Sequence, residues 1–258
     1  MKTLRIEFVI ARFQPGRIDP PRLQSFYLKV DETMTVLDAL ERIRLTQDPT
    51  LIYRHSCHHS SCGTCACRIN GPERLACTTR VVDVEKNGWI TLEPLNGFER
   101  IADLAVDMRS FYQDIDPQWS CLKPCEPGPG WVSPPGSEPL LRFEECIECG
   151  ACVSACPSVR EHGPFMGPAA LAALHNEMLK NPAAREDLLK TAAGERGERW
   201  CQRWLACSRV CPTGVYPARH IVDLTRLLSK NGRPGPGIRN RVENNSKDGM
   251  EPVKENGD

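Results

Sequence analysis

CIECGACVSACP, Cys146 to Pro157, and its imperfect echo CQRWLACSRVCP, Cys201 to Pro212, decide the second half of the chain. In the first stretch Cys146, Cys149, Cys152 and Cys156 form a C-x2-C-x2-C-x3-C-P run, a ligand spacing for four-iron clusters. Read backward from Cys211 and Pro212, the second stretch keeps Cys201, Cys207 and Cys211 but has Trp204 where its second cysteine should stand. In such paired runs the last cysteine of each ligates the cluster of the other. Cys146, Cys149, Cys152 and Cys211 then make a set of four, and Cys156, Cys201 and Cys207 a set of three. A cubane with three thiolates and an apolar ring at the fourth corner loses that iron. The expectation is one [4Fe–4S] and one [3Fe–4S] cluster; the alternative is a labile fourth iron carrying water or hydroxide.

Upstream, HSCHHSSCGTCACRINGPERLAC (His55 to Cys77) spaces Cys57, Cys62, Cys65 and Cys77 as C-x4-C-x2-C-x11-C. This is the plant-type spacing for a [2Fe–2S] cluster, whose tight loop turns backbone N–H groups toward the sulfurs. Gly63 suits a loop whose backbone must approach the cluster closely. A zinc site or a set of free thiols is the alternative, but zinc ligands usually come as a short knuckle at each end, and here the fourth cysteine stands alone. Three of the 14 cysteines remain. Cys67 reads as a buried spare thiol or an alternative ligand, and Cys121 and Cys125 as a C-x3-C pair open to a cross-link or a metal. His55, His58 and His59 crowd the first loop, where they either tune the potential or form a solvated surface.

The rest of the sequence frames these groups. LRIEFVIARF (Leu4 to Phe13) and FYLKV (Phe26 to Val30) read as a hairpin about a Pro/Gly turn, followed by a helix capped at Thr35 with Asp38 three places on. RVVDV (Arg80 to Val84) and WITLEPL (Trp89 to Leu95) read as further β-rich pieces. Residues 1–105 are therefore expected to be a small sheet wrapped on one helix. Seven prolines and three glycines between Pro117 and Pro139 mark a connector over 106–140. Beyond it a helix begins at Pro168, and AAREDLLKTAA and ARHIVDLTRLLSK continue a mostly α domain over 141–230. Residues 231–258 carry no aromatic side chain and few apolar ones, the composition of a flexible polar tail. Lysine plus arginine equals aspartate plus glutamate at 33 each, so bulk charge favours neither nucleic acid nor an acidic membrane. No run of about 18 apolar residues and no cleavable leader is read, so the expectation is a soluble, cytoplasmic chain with metal ligands rather than disulfides.

In combination, a plant-type ferredoxin domain, a bacterial-type domain with a four-iron and a three-iron site, and RINGPERLAC (Arg68 to Cys77), DMRSFY (Asp107 to Tyr112), GPAAL (Gly167 to Leu171) and CPTGVYPARHI (Cys211 to Ile221) resemble the iron–sulfur subunit of succinate dehydrogenase and fumarate reductase. The resemblance implies an α+β chain: an N-terminal β-grasp domain and a C-terminal, mostly helical ferredoxin-like domain. It implies an FAD-bearing dicarboxylate partner and a quinone-binding membrane anchor, with or without haem, at the cytoplasmic face of the membrane. Electrons would run from FAD through the [2Fe–2S], [4Fe–4S] and [3Fe–4S] clusters to quinone, or in reverse for fumarate. A soluble, quinone-independent complex is a further alternative, disfavoured because the thiol-linked members carry an additional cysteine-rich domain. The chain departs from the family at the quinone end. Val159, Arg160 and Glu161 replace the usual aromatic residues after the first run, and Gln202 replaces a common histidine. Pro157, Arg160 and Trp204 are the candidates for lining a quinone pocket, and Trp204 serves equally as an apolar plug over the cluster.

Overall fold

Alternation in LRIEFVIARFQ sends Ile6, Phe8 and Ile10 to one face of a strand, where all three are buried. The computed structural model, which describes residues 3–116, 119, 145–161 and 163–230, builds that strand into a mixed sheet. Strands β1 (Leu4–Gln14), β2 (Ile18–Val30), β3 (Ala66–Ile69), β4 (Glu73–Leu75) and β5 (Trp89–Glu93) lie in the order β2-β1-β5-β3-β4, with β1 and β5 parallel and the other neighbours antiparallel. The hairpin strand β2 starts well before Phe26. It carries Pro20 and Pro21 on the edge of the sheet, where a missing N–H costs no ladder bond.

Helix α1 (Val36–Thr46) crosses the sheet and buries Val36, Leu37, Leu40 and Ile43 against it. Its start is a reciprocal cap: the Asp38 N–H donates to Thr35 Oγ1 at 3.1 Å, and the Thr35 N–H donates to the Asp38 carboxylate at 2.9 Å. RVVDV, expected as a β-rich piece, is instead a single helical turn, α2 (Val81–Val84). The Val81 N–H donates to the Met34 carbonyl, Val81 is buried, and Arg80 pairs with Asp83 across the turn at 2.8 Å. These contacts outweigh the β propensity of three valines. A two-stranded ribbon follows, β6 (Arg100–Ala102) with β7 (Ala105–Val106), and then the short helix α3 (Arg109–Gln113). Residues 106–116, assigned by composition to the connector, thus begin with regular structure. The connector from Pro117 to Pro139 apart from Trp119, Cys121 and Cys125 within it, and the tail 231–258 lie outside the described residues.

The second half is helical: α4 (Ala151–Ser154), α5 (Pro157–Glu161), α6 (Gly167–Lys180), α7 (Arg185–Ala193), α8 (Ala206–Arg209) and α9 (Pro217–Lys230). Leu171, Leu174 and Met178 of α6 pack on Leu188 and Leu189 of α7 and Ile221, Leu224 and Leu228 of α9. The alanines of α6, by contrast, pack toward Phe111 and Val215. The α6 helix is therefore buried on both faces; α4, which carries Cys152, packs against it, and α8, which carries Cys207, packs against α4 and α9.

Two polar devices hold the architecture in register. Arg12, 0% exposed, donates to Asp103 at 3.0 Å, to Asp48 at 2.6 Å, and to Gln24 and Thr50. Asp103 also accepts from the Phe13 and Ile52 backbones, so this one guanidinium fixes the segment that leads into the first cysteine loop. Between the halves, buried Ser154 donates to Glu73 at 2.7 Å and accepts from the Asn96 N–H at 2.8 Å. Ser154→Ala leaves the Glu73 carboxylate buried without that donor and is expected to destabilise the chain by about 1–3 kcal/mol. Thermal unfolding of the cluster-loaded protein, beside exposed Arg22→Ala as a control, checks this; equal melting temperatures would show that the junction contributes nothing.

Candidate metal centre

The loop after the Arg12 network reverses direction through left-handed residues at His58, Ser60 and Gly63. That path turns three backbone N–H groups onto one sulfur: His59, Ser61 and Cys62 donate to Cys57 Sγ at 3.5, 3.3 and 3.3 Å. They draw the Cys57 thiol down to about 7. The Cys57 N–H in turn donates to Cys62 Sγ at 3.5 Å, with Thr64 Oγ1 3.1 Å from the same sulfur. Cys65 and Cys77 complete the group from the buried side. Burial and then the neighbouring Cys77 push the Cys65 thiol up, against one stabilising backbone contact. Cys67 lies apart in β3, packed into the sheet core, and burial pushes its thiol up to about 12, as befits a spare buried thiol.

The two runs in the helical half repeat in space as they do in sequence. Glu148 and Gly150 in the first and Arg203 and Leu205 in the second, at matching offsets, all adopt positive φ, and each run then enters a short helix, α4 or α8. The last cysteines approach the opposite runs. Cys211 acts on Cys149, both Cys207 and Cys211 act on Cys152, and Cys156 acts on Cys201 and Cys207. Burial first, and then these like charges, push Cys149 to about 11 and Cys207 to about 12, and Cys152 higher still. Thiols gathered so closely and so dry repel one another when ionised. A polycationic iron–sulfur core relieves that repulsion, so the donor set fits such groups.

Cys156, Cys201 and Cys207 line a small, partly open pocket with room for about 20 Å³, which Pro157 and Trp204 also line. Trp204 is 36% exposed, with Nε1 donating to Gln202 at 3.3 Å, so it stands at the rim rather than as a buried plug. Arg160 is not among the lining residues; its charge and the Ser158 and Val159 N–H groups oppose the burial that raises the Cys156 thiol. The histidines of the first loop turn outward. His55 Nδ1 and His58 Nε2 are 3.0 Å apart and each lies 3.7 Å from Glu41, while His59 contacts the Cys57 carbonyl.

The first and second loops meet at Gly63. A Cβ there would stand 2.6 Å from the Ile147 carbonyl oxygen and 2.8 Å from Cys149 Cβ, so only glycine allows this approach. Sequence reasoning matched Gly63 to its own cluster and missed this partner, which comes from a segment 84 residues further on. It also missed Arg54, just ahead of the loop, which lines the cleft between the two loops with Cys62, Tyr112 and Cys146. The one available signal was a cation three residues before a ligand cysteine.

Comparison with known proteins places this geometry. Residues 7–113 match a family of 2Fe-2S iron-sulfur cluster binding domains, and residues 142–215 a 4Fe-4S dicluster domain. The fumarate reductase iron-sulfur subunit of Haemophilus influenzae is 32% identical over 235 residues, covering 82% of this chain and 88% of that protein. The chain belongs to the succinate dehydrogenase and fumarate reductase iron–sulfur subunit family. Mitochondrial succinate dehydrogenase [ubiquinone] iron-sulfur subunit 1 of Oryza sativa subsp. japonica is likewise 32% identical, over 234 residues, covering 85% and 81% of the two chains. A chain of the Mycobacterium smegmatis Sdh1 complex in its apo form shares the fold, with a TM-score of 0.70 at 23% identity over 89% of this chain and 98% of that one. As a member of this family the chain is an electron-transfer subunit of an oxidoreductase complex, with a β-grasp half and a helical dicluster half.

Gly63→Ala should force the two loops apart, since both the φ of +68° and the 2.6 Å approach oppose a side chain. The expected result is a lower melting temperature and slower electron exchange between the first two centres, read by freeze-quench EPR; wild-type exchange would show that the loops tolerate separation.

Proposed function

We propose that this subunit relays electrons singly between a flavin in a dicarboxylate-binding partner and a quinone held by a membrane anchor. In this reading Cys57, Cys62, Cys65 and Cys77 hold a [2Fe–2S] cluster, Cys146, Cys149, Cys152 and Cys211 a [4Fe–4S] cluster, and Cys156, Cys201 and Cys207 a [3Fe–4S] cluster. When bound, these groups supply one-electron carriers in series, which lets a two-electron flavin discharge in single steps. What supports the reading is that Cys211 acts on Cys149 and Cys156 on Cys201 and Cys207, with Pro157 and Trp204 lining the same pocket as the last three thiols.

The residues of this chain do the holding and the shielding. Backbone donors aimed at Cys57 favour its thiolate and stabilise added negative charge at the first centre. Burial of Cys65, Cys77 and Cys207 keeps water from the sulfurs. Gly63 keeps the first two centres close, as electron tunnelling requires. At the far end Pro157 and Trp204, beside the three-thiol group, would face the quinone, with Arg160 contributing charge through Cys156. No helix among the described residues is long and apolar enough to cross a membrane, so attachment at the cytoplasmic face falls to the anchor subunits, with or without haem.

Succinate oxidation is the direction put forward. The relative named fumarate reductase supports the reverse as a second reading. Purification of the native complex tests both. The expected result is flavin, a membrane subunit and about nine irons in this chain, with succinate reducing quinone. A complex that lacks flavin or a membrane subunit, and that neither oxidises succinate nor reduces fumarate, would overturn the reading.

A further inference from the structure

Among the described residues, Arg54 is a half-buried cation beside the cysteine loops that no carboxylate pairs with. Its Nε is buried with no hydrogen-bond partner. Arg12 shows how this fold treats a buried guanidinium otherwise, with two aspartates, a glutamine and a threonine around it. The acid in the same cleft, Glu148, accepts the Tyr112 hydroxyl instead. The groups that act on Arg54 are the Tyr112 hydroxyl and sulfurs, with the ligand cysteines Cys65 on one side and Cys149 on the other and the spare thiol Cys67 beside them. The guanidinium therefore stands between the first two cysteine sets, at the junction where Gly63 brings their loops together. Partial burial makes a nearby negative charge favourable to this cation, and the groups in reach that would carry such charge are those the two thiol sets would hold.

We propose that Arg54 is the shared counter-cation of the first two iron–sulfur centres, a positioning residue that favours the reduced form of both. Each centre gains one negative charge on reduction, and a nearby desolvated cation stabilises that charge. Arg54 raises both midpoint potentials and screens the two centres from each other, so that an electron on one does not bar an electron from the other. The inference rests on the ligand sets proposed above.

EPR-monitored redox titration of the whole complex tests it, with Arg54→Met, Arg54→Gln and Arg54→Lys beside the exposed control Arg80→Met. The two-iron and four-iron potentials should fall in the Met and Gln variants, return most of the way in the Lys variant, and stay in place in the control, while the three-iron potential holds throughout. A structural role alone would lower melting temperature without this pattern. Unmoved potentials in fully loaded Arg54→Met or Arg54→Gln protein, a shift at one centre only, or a Lys variant as displaced as the Met variant would each overturn the proposal. Should Arg54→Met lose iron, the Gln and Lys variants carry the same comparison. Absence of a two-iron or four-iron signal from the wild-type complex would defeat the ligand sets rather than the role of Arg54.

Discussion

The approach of each run's final cysteine to the other run is the constraint on which the helical half depends. Cys211 acts on Cys149 and, with Cys207, on Cys152, and Cys156 acts on Cys201 and Cys207, so the proposed sites each draw on both runs. The segments 146–157 and 201–212 must therefore lie side by side. The α6 helix, α7 and the chain up to Trp200 form the connection that allows it, with Leu171, Leu174 and Leu224 as its core. The repeated left-handed residues at 148, 150, 203 and 205 are the backbone form of the same constraint, because each run must turn sharply between its ligands.

Joining that half to the sheet is a matter of approach distance. Electron transfer needs the first two centres close, and the chain meets this need with a residue that has no side chain, Gly63, against Cys149. The Glu73–Ser154–Asn96 link and the packing of Phe98 and Met108 against Gly150 hold the contact from either side. Upstream, Arg12 anchors residues 48–52 and thus the start of the first loop, so a buried ion-pair network in the sheet sets the position of a sulfur group some residues away.

What was legible in the sequence follows from the range of each interaction. Ligand spacing is local, so Cys57 to Cys65 and the two runs could be grouped from offsets alone, and the repeat exposed Trp204 as the odd position. The cap at Thr35 and the period of α6 and α9 were readable for the same reason. RVVDV was misread because three valines report β propensity, whereas the Met34 carbonyl that captures Val81 is remote in sequence. The Arg12 network, the Gly63 contact and the cleft around Arg54 each join segments tens of residues apart, and no periodicity records them. Trp204 at the rim of its pocket is a further case: its place in the repeat was visible, its exposure was not.

The crossed pairing is tested most directly by EPR of Cys211→Ser and Cys156→Ser in the native complex. The account predicts that Cys211→Ser perturbs or abolishes the four-iron signal and spares the three-iron signal, with Cys156→Ser doing the reverse. A Cys211→Ser protein that loses its three-iron signal while the four-iron signal persists would contradict it.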